Sequence, residues 1–133
     1  MKFKPITQEQ TMGCCIACVA SLLGLSYKKA LELFRKEYAS TRGYYLKDLI
    51  LALNKKGLKY TYSKFNGNNK KYLGMLGSIV FVKRSKKYPA GHYLLKTSKG
   101  WMNPWINYPN INPAKSGFNK EIPGEIQWIL YEK

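Results

Sequence analysis

Acidic residues are scarce in this chain. Only 7 Asp and Glu stand against 23 Lys and Arg in 133 residues, a formal charge of +16. Such a field attracts nucleic acid, acidic protein surfaces or anionic membranes and says nothing about fold. A solvated surface rich in Lys, Asn and Tyr would carry the same charge with no partner at all. Histidine occurs once, at His92, and cysteine three times, all within one stretch: Cys14, Cys15 and Cys18. A disulfide scaffold would spread an even number of cysteines along the chain, which excludes that class. Cys15 and Cys18 form a C-x-x-C, but no second pair follows and His92 is remote, so no metal site is expected. No βαβ pattern surrounds the motif, which argues against a thioredoxin-like dithiol, and no cofactor is expected. Long apolar runs are also missing: nothing approaches the roughly 20 residues that span a bilayer. The start, MKFKPITQEQ, is basic but has no apolar core behind it, so it does not read as a secretory signal. The expectation is a cytoplasmic chain without a transmembrane segment.

What is present is ordinary globular material. Apolar residues make up 45% and aromatics 14%, enough for one hydrophobic core in one domain spanning residues 1–133. Residues 1–13 read as extended and polar. CCIACVASLL, residues 14–23, is small or apolar all round and predicts a buried helix ended by Gly24. Ser26 predicts the cap of a second helix, SYKKALELFRKEYA, with Leu31, Phe34 and Tyr38 three and four apart. YLKDLILALNKKG predicts a third, with Leu46, Leu49, Ile50 and Leu53 as its stripe and Gly57 at its end. Strand patterns follow in LKYTYSKF, GSIVFVKR, HYLLKT, WMNPW and EIQWILYEK. Asn107–Gly124 reads as a long loop. Helices first and strands second predict an α+β fold, with N-terminal helices packed against a C-terminal antiparallel β-sheet.

The residues that could do chemistry sit at the junctions of these elements. A thiolate nucleophile needs a site that favours it, a base, a group that orients the base, and donors for the oxyanion. Cys14 stands at the predicted helix start, where free N–H groups and a partial positive charge favour thiolate and oxyanion alike. Gly13 permits a sharp entry into that helix. Gln8, six positions earlier, and Gln10, four earlier, are both candidate oxyanion donors. His92 opens a predicted strand, and the run GHYLLKTSKGWMNP turns back on itself. Two short paired strands would bring Asn103 beside His92, where its carbonyl could hold the imidazole in the useful tautomer. The plainer alternative for Asn103 is a turn residue before Pro104.

The segment QEQTMGCCIACVASLLG resembles the N-terminal motif of the C39 peptidases, within the papain-like cysteine peptidase superfamily. GYYLKDLILALNKKGLKY, GSIVFVKR and GHYLLK resemble the helix and strands that follow in that family, and WMNPW stands where the family has Asp-Pro. The likeness runs from about residue 6 to about residue 106. It implies a papain-like fold in which Gln8 is the oxyanion glutamine, Cys14 the nucleophile rather than Cys15 or Cys18, His92 the base and Asn103 its orienting partner. Three positions depart from the family pattern: Gly13 where Asp is usual, Cys15 where Gly is usual, and Asn103 for Asp.

The resemblance implies a cysteine peptidase, a hydrolase acting on a peptide or protein after small residues such as a Gly-Gly leader. The same site would also suit a papain-like acyltransferase or amidase. A binding module is the third reading: Trp101, Trp105 and Tyr108, with the lysines at Lys70, Lys71 and from Lys83 to Lys87, would stack on and pair with single-stranded nucleic acid, or meet an acidic protein.

Overall fold

A computed structural model describes residues 3–133; the first two residues of the segment expected to be extended lie outside it. Helix α1 spans Cys14–Leu23, α2 Tyr27–Leu31 and α3 Leu46–Lys55. Strands follow at Tyr60–Lys64 (β1), Ile79–Val82 (β2), His92–Thr97 (β3), Gly100–Asn103 (β4), Gly117–Asn119 (β5) and Ile126–Glu132 (β6). They form one antiparallel sheet in the order β1-β6-β2-β3-β4-β5. The α+β expectation and the helices-then-strands order both hold.

α1 is buried from Cys15 to Ser21, as its uninterrupted apolar character requires. It lies on the sheet face that carries Ile79, Tyr93, Leu95, Met102 and Leu130. The opposite face presents Val80, Val82, Leu94, Trp101 and Ile129, covered by Tyr88 and by loop side chains such as Phe65, Tyr72 and Tyr108. Both faces are thus dry, which explains why β3 is buried at five of its six positions instead of alternating.

Two expectations need correction. The second helix does not run from Ser26 to Ala39. Ser26 does cap it, accepting from Lys29 N–H at 3.2 Å, but α2 stops at Leu31 and a separate 3₁₀ turn occupies Lys36–Ser40. The cause is tertiary. Arg35 turns extended (ψ 111°), its carbonyl accepts from the Tyr44 hydroxyl at 2.6 Å, and Phe34 packs on the Tyr44 ring with centroids 4.9 Å apart. The Asn107–Gly124 stretch also contains β5, which extends the sheet beyond β4. Three half-buried residues, GFN, carry no periodic signal; an available sheet edge recruits them.

Candidate active site

Sheet register brings the site together. β3 and β4 pair through Leu95–Met102 and Thr97–Gly100, so His92 and Asn103 project from the same face. His92 Nε2 lies 2.7 Å from Asn103 Oδ1. The strand can begin at His92 because Gly91 takes φ +78° and packs without a Cβ, which would fall 2.2 Å from the Phe81 ring and 2.8 Å from the Val82 carbonyl.

The hydrogen bonds around Asn103 assign its orientation. Trp105 N–H donates to Oδ1 at 3.0 Å, and Nδ2 donates to Asn119 Oδ1 at 2.8 Å and to the Tyr88 hydroxyl at 3.3 Å. A backbone N–H can only donate, so the atom facing His92 is the amide oxygen. His92 must then carry its proton on Nε2, leaving Nδ1 as the free acceptor. Tyr88 stacks on the imidazole, with centroids 4.4 Å apart and planes 5° from parallel, and so shields the His92–Asn103 bond from water. Burial pushes the His92 pKa down to about 4; the Asn103 bond opposes that shift and the nearby Lys87 charge adds to it.

Cys14, Gln8 and His92 line one cleft of about 790 Å³, together with Tyr44, Tyr93, Trp105 and Trp128. Of the three cysteines only Cys14 reaches it; Cys15 and Cys18 are fully buried in the core. The helix start does not by itself yield a thiolate. Burial raises the Cys14 thiol to about 11, against the backbone N–H groups of Tyr93, Cys15 and Cys14, which lower it. Both shifts favour the uncharged forms of the two groups. Gly13, the N-cap, provides no side-chain cap, so nothing from that residue occupies the first-turn N–H groups of α1. Its φ of −96° is unexceptional; a Cβ there would fall 1.9 Å from the Tyr27 hydroxyl, so any larger residue must displace that tyrosine.

Gln8 is buried, and its backbone N–H donates to the Pro104 carbonyl at 3.2 Å, which joins the start of the chain to the end of β4. Its Nε2 donates to the carbonyls of Gln10 and Thr11, each at 3.0 Å, while Oε1 accepts nothing. Both loop carbonyls compete for the protons an oxyanion would need. Gln10, the rival by spacing, does not line the cleft and instead accepts from the Tyr27 hydroxyl.

Sequence reasoning missed Tyr88, Asn119 and the Tyr93 and Trp105 N–H groups. None carries a local signal: Tyr88 sits in the turn SKKYPAG and Asn119 in the supposed loop. The stacking role given to Trp101 and Trp105 is corrected by their burial, at 5% and 6% exposure. Trp101 belongs to the core, Trp105 is a buried part of the cleft wall and Tyr108 is half-buried, so the nucleic-acid reading keeps mainly exposed lysines. No helix of the described residues is long and apolar enough to cross a membrane.

Comparison with known proteins follows the same lines. The profile of the Peptidase C39 family matches residues 2–121. Among solved structures, the peptidase domain of Streptococcus ComA, a bi-functional ABC transporter involved in a quorum sensing pathway, superposes with a TM-score of 0.63 at 17% identity, over 98% of this chain and 97% of that one. The peptidase domain of Streptococcus mutans ComA gives 0.58 at 14% identity, over 98% and 99%. Curated protein sequences give no match.

Proposed function

The chain belongs to the peptidase C39 family, and from that premise we propose that it hydrolyses a peptide bond in a peptide or protein substrate, with Cys14 as nucleophile and His92 as base. The observation that carries the reading is the network at Asn103, which leaves His92 Nδ1 as a free acceptor in the cleft that Cys14 also lines. Cys14 Sγ attacks the carbonyl carbon as its proton passes to His92 Nδ1. The carbonyl oxygen becomes an oxyanion that meets the Cys14 N–H at the head of α1. Gln8 supplies a second donor once one of its two loop bonds opens. Collapse expels the amine, which takes its proton from His92, and leaves a thioester on Cys14. Water, deprotonated by His92, then releases the acid. Cleavage after small residues such as Gly-Gly is the specificity carried over from the family resemblance.

Labelling with a thiol-directed activity probe tests this. Wild type is expected to label at Cys14, with Cys14→Ala abolishing the label and His92→Ala slowing it at least about a hundredfold, the usual scale of general-base assistance. Labelling of Cys14 no faster than a free thiol, with His92→Ala indistinguishable from wild type, overturns the proposal. Mass spectrometry of the thioester, with water or an added amine as acceptor, separates hydrolysis from acyl transfer.

A further inference from the structure

We infer that Asn119 is a positioning residue: its side-chain carbonyl, acting with the Trp105 N–H, holds the Asn103 amide one way round, and through that amide the tautomer of His92. The inference rests on the reading of His92 as base. An amide, unlike a carboxylate, has a wrong way round. With Oδ1 toward the imidazole, Nε2 carries the proton and Nδ1 can take one from Cys14. With Nδ2 toward the imidazole, Nε2 must accept, the ring proton moves to Nδ1, and the base is lost. The two orientations have nearly the same shape, so packing does not choose between them. Hydrogen-bond partners do.

Three groups besides His92 touch this amide. The Tyr88 hydroxyl at 3.3 Å can donate or accept, so it favours neither orientation. Trp105 N–H, at 3.0 Å, selects the oxygen on its side. Asn119 Oδ1, at 2.8 Å, accepts from the NH₂ on the other side and adds to that selection while its carbonyl faces Asn103. Asn119 can reach because Gly117, which has no side chain, pairs directly with Asn103 across β4 and β5. The diagonal neighbour on the same face then covers the amide. Asn103 is 1% exposed, so without Asn119 one of its N–H protons loses its partner away from water, and the penalty on the reversed orientation shrinks. Asn119 is itself an amide, so aspartate at 119 is the variant that keeps the acceptor and cannot turn.

His92 is the only histidine in the chain, so ¹⁵N NMR of its ring reads the tautomer directly, without substrate. Near neutral pH, wild type and Asn119→Asp are expected to show a protonated Nε2 and an unprotonated Nδ1. In Asn119→Leu the two nitrogen signals should move toward one another as tautomers mix, with kcat/KM on a cleaved peptide falling about tenfold, the scale of one lost buried hydrogen bond. In an Asn103→Asp background the carboxylate has no wrong way round, so Asn119→Leu should leave the two ring signals apart. Should the leucine variant not fold, Asn119→Ala takes its place. Unmoved ring signals in the truncated variant, or ring signals that move together with aspartate at 103 at equal folded fraction, overturn the inference. A wild type that cleaves no peptide but shows the expected ring signals overturns the peptidase reading and leaves this one standing.

Discussion

At residue 13 a missing side chain is what lets Cys14 open its helix. Tyr27 reaches from α2 into the space a Cβ would occupy, and its hydroxyl donates to Gln10 Oε1, fastening the loop that leads to Cys14. Gly13→Ala therefore pushes on a buried tyrosine and should destabilise by about 1–3 kcal/mol, the range for overpacking a filled site. Removing the hydroxyl makes room. In a Tyr27→Phe background the same substitution should cost clearly less, measured by denaturant titration of the single and double variants. Equal costs in the two backgrounds would mean that the tyrosine contact is not why position 13 is glycine.

Among the elements, the helices differ in how firmly their own sequence sets them. α3 is closed locally. Gly57 is left-handed at φ +79°, Gly57 N–H bonds the Asn54 carbonyl and Leu58 N–H the Leu53 carbonyl, both at 3.0 Å, the two bonds of a Schellman cap. At its start, Asp48 accepts from Tyr45 N–H at 2.7 Å and pairs with Arg42 at 2.9 Å. A Cβ at Gly57 meets nothing within 4 Å. Gly57→Ala should therefore cost only the left-handed backbone penalty of about 1–2 kcal/mol, visible as a lower melting temperature with the site's chemistry unchanged. A neutral outcome would show that the cap relaxes. α2, by contrast, has a sound cap and a helical pattern, and the Tyr44 anchor still ends it after five residues.

For the whole molecule, charge and burial set the response to pH. Three ion pairs occur among the described residues, and two of them, Arg35–Glu37 and Lys83–Glu125, are exposed. Such pairs contribute little, so most of the positive charge is simply solvated. The buried histidine matters more. Its folded pKa of about 4 lies below the unfolded value of 6.5. Between those values the unfolded chain takes up a proton that the folded chain refuses. The stability present above pH 6.5 is therefore lost as pH falls, by about 3 kcal/mol over the window at 1.36 kcal/mol per pKa unit. The test is a difference: denaturant unfolding free energies of wild type should fall more steeply across this range than those of His92→Ala. Parallel slopes would mean that His92 is not held neutral by the fold.

The sequence by itself determined the buried α1, the cap at Ser26, the ends at Gly24 and Gly57, and the hairpin that returns Asn103 to His92. These are readable because each depends on residues a few positions apart: a period, a cap, a short turn. Only the tertiary structure decided the rest. Burial on both faces of the sheet took Trp101 and Trp105 out of solvent and raised the Cys14 thiol that the helix start was expected to acidify. An open sheet edge made a strand of Gly117–Asn119, and with it came the second anchor of the Asn103 amide. Gln8 lies where its spacing suggested, yet its amide protons go to loop carbonyls two and three residues on. Desolvation and hydrogen-bond direction depend on everything that surrounds a group in space, and no local pattern along the chain records them.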